Sequence, residues 1–287
     1  MKVFILLTIA AVAAAMLTLF FSSAKSDGNS PLRRRRSLSI LEPETTVIKP
    51  PIEYLRNGKT IYYETAMAQD SVTDKVTRHS YQTMYGRFLL PYYYNNPTMK
   101  MLEIGLGCNM SYGPGASVKL YKALFPQAEL WEAEIVTRCV DRYRNSEMLE
   151  GVNILIGDQG NYDHLDRWIE ESGGNFDVVI DDGGNQDCQI WNSFEKLWPE
   201  VKPGGLYFIE DLEVSRKTKK EHSIGDCPEN MVVPDHKIKP MLDVLLHEEF
   251  GAERAEMNIE FLFCQADACV IGKKLEDDPP SVWWNNV

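Results

Sequence analysis

Two acidic pairs, each ending an apolar run, carry the densest chemistry in this sequence: Phe176-Asp177-Val178-Val179-Ile180-Asp181-Asp182 and Leu206-Tyr207-Phe208-Ile209-Glu210-Asp211. A third apolar run, Met101-Leu102-Glu103-Ile104, leads into Gly105-Leu106-Gly107. Ligands of an open α/β sheet bind outside the carboxyl ends of the strands, so all three endings should meet at one crevice. A glycine turn for a cofactor, with several carboxylates beside it, belongs to an enzyme more readily than to a scaffold.

Further acids extend the pattern. Glu134 ends a second strand about thirty residues after the turn, where a carboxylate can accept hydrogen bonds from both ribose hydroxyls. Glu132, two residues earlier, shares its face and is the rival. Asp158, in Ile156-Gly157-Asp158-Gln159, ends a third strand and could meet an adenine amino group. Each acid alone could equally be a solvated strand-end carboxylate. Their succession on consecutive strands favours the functional reading. A dinucleotide fingerprint would want a glycine where Met110 stands, and the loop runs on through Gly113-Pro114-Gly115. A long loop grips a pyrophosphate poorly and suits a cofactor without one.

The elements that must position these residues alternate from about Tyr54 onward, which predicts a Rossmann-like, doubly wound, mostly parallel α/β sheet. Strands are expected at 100–104, 129–134, 152–156, 176–181 and 205–210, with 256–263 and 267–273 closing the sheet as an antiparallel hairpin. Helices are expected over 116–124, 137–145, 162–171, 188–198 and 237–249. Segments 53–95 and 213–236 read as variable loops that would shape an acceptor pocket.

Composition narrows the class. The 287 residues carry a net charge of -12, which argues against nucleic acid as a partner, because phosphate contacts need clustered Lys and Arg. The six cysteines form no CxxC pair and read as buried or free thiols rather than a zinc site or disulfide framework. Residues 3–21 are uncharged and apolar and, as a helix, would reach roughly 28 Å, close to a bilayer core. Residues 1–24 are therefore expected to be a single-pass membrane anchor in the endomembrane system. The competing reading is a cleaved signal peptide ending at Ser22-Ser23-Ala24, which would make the protein secreted. Residues 25–53 read as a basic, Pro-rich tether and 54–287 as the globular domain.

Leu102-Glu103-Ile104-Gly105-Leu106-Gly107, Glu134 and Gly157-Asp158-Gln159 resemble the cofactor motifs of class I S-adenosylmethionine-dependent methyltransferases. Asp74-Lys75 with His79-Ser80-Tyr81, Asp181-Asp182-Gly183-Gly184-Asn185 and Pro203 through Leu212 resemble, more narrowly, the metal-dependent macrolide sugar O-methyltransferases and the related cephalosporin hydroxylase family. The resemblance implies S-adenosylmethionine held by Glu103, Gly105, Gly107, Glu134, Asp158 and Gln159. It implies Mg²⁺ on Asp182, Glu210 and Asp211, an ion that suits hard carboxylate oxygens. The implied acceptor is a hydroxyl of a small molecule or sugar. Where the family pattern has an acid–base histidine this chain has Asn185, which cannot take a proton at neutral pH. Catalysis would then rest on Asp182 with His79 or Asp181, or on metal-assisted deprotonation. Two other readings stay open: a cofactor-binding interaction protein without turnover, and a nicotinamide-dependent oxidoreductase.

Overall fold

The computed structural model describes residues 52–217, 231–247 and 257–275. All of them fall in one unit, Ile48–Val287. Three helices come first: α1 (Ile52–Met67), α2 (Asp74–Thr77) and α3 (Gln82–Asn95). The βα alternation follows as β1 (Lys100–Ile104), α4 (Ala116–Leu124), β2 (Glu129–Glu134), α5 (Thr137–Tyr143), β3 (Asn153–Ile156), α6 (Tyr162–Ser172), β4 (Phe176–Asp181), α7 (Asp187–Leu197) and β5 (Val201–Ile209). Then come α8 (Leu212–Lys217), a π-helical turn at Pro234–Ile238, α9 (Lys239–Leu246), β6 (Ile259–Gln265) and β7 (Ala268–Lys273).

The seven strands form one mixed sheet in the order β3-β2-β1-β4-β5-β7-β6. β1 to β5 are parallel, while β7 runs antiparallel to both β5 and β6. Chain order reverses between β1 and β4, which opens a crevice at their carboxyl ends. The expected sheet and hairpin are thus present.

The period of two along each strand decides what faces what. Met101, Val178, Ile180, Leu206 and Phe208 pack under α1, α3 and α4 with Tyr62, Tyr85 and Tyr121. Leu102, Ile104, Val179, Tyr207 and Ile209 pack on the other side with Trp168, Phe194 and Trp198. Glu103, Asp182 and Glu210 fall in register with the first set and Asp181 with the second. One face therefore collects three acids at the strand ends.

Segment 53–95 is not a loop region. α1 and α3 cross where Gly58 and Gly86 meet, so closely that a Cβ on either would collide with the other's backbone. This tertiary contact offers no short-range pattern to read. The membrane placement also requires correction. Among the described residues no helix is long and apolar enough to cross a membrane, and segment 3–21, on which that expectation rested, lies outside the described residues.

Candidate active site

A cavity of about 400 Å³ opens at the carboxyl ends of β1 to β5. Gly105, Gly107, Glu134, Asp158, Gln159, Asp182 and Asp211 all line it, together with Asp74, Arg78, Tyr112 and Asn185. Gly105 has φ +110° and lies against the Asp182 carbonyl, with no room for a side chain. The chain after β1 thus turns sharply and leaves its backbone facing the cavity.

Glu134, not Glu132, is the cavity acid of β2. Its oxygens accept from Val136 N at 2.8 Å and Cys108 N at 3.4 Å, which hold it at the mouth of the glycine loop. Glu132 is buried behind Glu103. Burial, and then the Glu103 carboxylate, push the Glu132 carboxyl well above its ordinary range. Asp158 Oδ1 accepts from Gly160 N at 2.8 Å and Gln189 Nε2 at 3.0 Å. The Gln159 amide ties the end of β3 to Asp181 and Gly184.

Two expected site residues sit elsewhere. Glu103 is fully buried and accepts from Ser117 Oγ at 2.5 Å and Tyr121 OH at 2.9 Å, so it braces α4 rather than touching a ligand in the cavity. Asp181 points to the opposite face of the sheet, where Ser193 and Gln159 donate to it. Burial pushes its carboxyl up to about 6, although those donors pull the other way. Strand alternation explains Asp181, whose sequence neighbour Asp182 points to the other face. Glu103 shares the face of Asp182 and Glu210 but lies inside β1, covered by α4.

The group that organises the acids is Lys75, on α2. Only 1% exposed, its ammonium lies 2.5 Å from Asp182 Oδ2, 2.8 Å from Glu210 Oε2 and 3.2 Å from Glu103 Oε1. Burial works against its charge, but Asp182 and Glu210 outweigh burial and hold the ammonium well above its usual range. Glu210 receives a second hydrogen bond from the Tyr85 hydroxyl. Burial pushes the Glu210 carboxyl up to about 7, with Lys75 opposing. In the sequence Lys75 stands out only as part of the Asp74-Lys75 motif. Its pairing becomes visible once the face shared by Glu103, Asp182 and Glu210 is known.

Asp211 ends the arrangement on the cavity side. Its Oδ1 accepts from Tyr81 OH at 2.8 Å and its Oδ2 from Asn185 Nδ2 at 3.1 Å. His79 stacks on Tyr81 and brings Nε2 to 3.5 Å from Asp211 Oδ1, where it makes no hydrogen bond. Asn185 (φ +55°) and Asp211 (φ +53°) both occupy the left-handed region, which non-glycine residues keep mainly where surrounding structure enforces it. Asn185 Oδ1 is buried with no hydrogen-bond partner.

The cysteines also depart from expectation. Cys108–Cys139 and Cys264–Cys269 are disulfides, and Cys188 is disulfide-bonded as well. Cys108 follows β1 and Cys139 follows β2, so adjacent parallel strands bring together two residues that lie 31 apart in sequence.

Comparison with known proteins agrees with this geometry. No family model matches the chain. Mycinamicin VI 2''-O-methyltransferase of Micromonospora griseorubida is 37% identical over 122 residues, 42% of this chain and 28% of that protein. A tetracenomycin-C rhamnosyl 2'-O-methyltransferase of Streptomyces olivaceus is 26% identical over 205 residues, 70% of this chain and 51% of that protein. The chain spans about half or less of the length of these relatives. The structure of the MycE methyltransferase of the mycinamycin biosynthetic pathway, in complex with Mg, SAH and mycinamycin VI, superposes with a TM-score of 0.58 at 28% identity. That match covers 77% of this chain and 57% of MycE. In sequence and in fold, then, the chain resembles the class I S-adenosylmethionine-dependent methyltransferases, and among them the macrolide and sugar O-methyltransferases.

Proposed function

We propose that this protein is an S-adenosylmethionine-dependent O-methyltransferase acting on a hydroxyl of a sugar or another small molecule. The observation that carries the reading is the crevice itself: a glycine turn too tight for any side chain, with Glu134 and Asp158 on the next two strands. In this reading the Glu134 carboxylate accepts from the ribose hydroxyls and Asp158 meets the adenine side; both line the cavity. The curated relatives act on sugar hydroxyls of macrolides and tetracenomycins, which supports the acceptor class.

The residues also suit a divalent ion. Asp182, Glu210 and Asp211 offer hard oxygen donors, and Asp182 and Asp211 line the cavity, whereas Glu210 is engaged from behind by Lys75 and Tyr85. Among the described residues no group of three or more His, Cys, Asp and Glu is placed to hold a metal ion as the chain stands, and the Lys75 ammonium already contacts Asp182 and Glu210. Asp182, Glu210 and Asp211 would hold the ion, which would supply Lewis-acid lowering of an acceptor hydroxyl's pKa.

The chain's own groups supply the rest. Asn185 and Tyr81 fix the Asp211 carboxylate, and the unpartnered Asn185 Oδ1 can accept from a second acceptor hydroxyl. The acceptor oxygen would take the sulfonium methyl, and the carbon–sulfur electron pair would stay on sulfur as S-adenosylhomocysteine. The hydroxyl proton would pass to His79, whose Nε2 makes no hydrogen bond and lies 3.5 Å from Asp211 Oδ1. Burial of the reacting pair in a fixed cavity supplies proximity and orientation. Incubation with methyl-labelled S-adenosylmethionine and a panel of glycosides tests the reading. Label should pass to one acceptor class with stoichiometric S-adenosylhomocysteine. Binding without turnover across the panel would argue for an inactive cofactor-binding module.

A further inference from the structure

The geometry points to the Cys108–Cys139 disulfide as a positioning device for the cofactor: it clamps the glycine loop to the β2 wall, and its reduction weakens cofactor binding without unfolding the domain. The inference rests on the proposal that this cavity holds S-adenosylmethionine. Cys108 directly follows Gly107, lines the cavity, and donates its backbone N–H to Glu134. Cys139 lies in the first turn of α5, just beyond the strand end that carries Glu134. The bridge therefore joins the two walls that would enclose the ribose.

The loop needs such a tether. Gly105, Gly107, Gly113 and Gly115 all have positive φ, so the segment is intrinsically pliable. Gly115 N to Leu106 O at 2.8 Å closes the segment on itself. Outside it, Gly105 N to Ala133 O at 2.8 Å holds its start, the long Cys108 N to Glu134 bond its first turn, and Tyr112 OH to Asp74 Oδ1 at 2.9 Å its far side. A Cβ on Gly113 would meet nothing within 4 Å, so the outer side of the loop is open. Without the disulfide the loop must be ordered when cofactor binds, and that ordering subtracts from affinity. Both cysteines are half-buried. Reduction takes two electrons and two protons from a small dithiol, leaving two cysteine thiols and the dithiol as its cyclic disulfide.

Cys264–Cys269 serves as the internal comparison, because it joins β6 to β7 beside their connecting turn and lies off the cavity. The test is calorimetric titration of the full-length protein with S-adenosylhomocysteine, with circular dichroism checking the fold. Affinity should fall roughly fivefold or more, a change of about 1 kcal/mol, in dithiothreitol-treated protein and in the Cys108→Ser/Cys139→Ser variant. Reoxidation should restore it, and Cys264→Ser/Cys269→Ser should bind as the wild type does. Should the first double variant not fold, Cys139→Ser alone must show the same loss. Equal affinity in folded oxidised and reduced protein would overturn the clamp. No binding to oxidised wild type would instead overturn the cofactor assignment beneath it.

Discussion

Replacing Lys75 with Met keeps the length of the side chain and removes its charge from among Glu103, Asp182 and Glu210. At contacts of 2.5, 2.8 and 3.2 Å, and an effective dielectric constant of about 20, each attraction amounts to about 5 to 7 kcal/mol. Desolvation of four charged groups and repulsion among the acids offset most of that sum. The measurable quantity is the cost of leaving buried carboxylates uncompensated, about 3 to 5 kcal/mol. Urea unfolding monitored by circular dichroism should show this loss at pH 8. The loss should shrink at pH 5, for the following reason. Without the ammonium, the Asp182 and Glu210 carboxyls, which burial already raises, rise further above their unfolded values; Glu210 stands at about 7 with Lys75 present. The folded variant then binds more protons than its unfolded chain, so its stability falls as pH rises through those pKa values. Adding Glu103→Gln should recover part of the loss. A change under about 1 kcal/mol, or one equal at both pH values, would refute Lys75 as the organising cation of the site.

Other consequences can be checked directly. Gly58→Ala should destabilise the domain by about 1 to 3 kcal/mol in urea, because overpacking against the Gly86 backbone outweighs the roughly 1 kcal/mol gained in helix propensity. Asp181→Asn should flatten the fall in thermal stability between pH 4 and 6 in metal-free protein. The wild-type carboxyl, raised to about 6, favours the fold when protonated and loses that advantage as pH rises through this window. Chelation should stop methyl transfer and leave S-adenosylhomocysteine affinity unchanged by calorimetry, with Mg²⁺ or Mn²⁺ restoring turnover; full turnover in chelator would remove the metal from the account.

The sheet was legible because its signals are local. β-Branched and apolar runs end in Gly, Asp or Glu, and the five parallel strands follow those runs closely. Strand ends likewise point to Asp158, Asp182 and Asp211, which line the cavity, and to Glu134 with Glu132 as its rival, of which Glu134 lines it. Three features were hidden because each depends on partners distant in sequence. The α1–α3 crossing needs Gly58 and Gly86 together. The disulfide across the glycine loop needs β1 and β2 side by side. Lys75 acquires its role only from three acids on three strands. Asp181 lies off the cavity because adjacency to a motif does not say which face of the strand a side chain occupies, and Glu103 because it sits one residue inside β1, under α4.

The central claim is that the crevice at Gly105 and Glu134 is a cofactor site. Calorimetric titration with S-adenosylhomocysteine of wild type, Gly105→Ala and Glu134→Gln tests it most directly. The account predicts one-to-one binding to wild type, no detectable binding to Gly105→Ala, and affinity reduced by about 1 to 3 kcal/mol in Glu134→Gln through loss of charge-assisted ribose hydrogen bonds. Unchanged affinity in both folded variants, or no binding to the wild type, would contradict it.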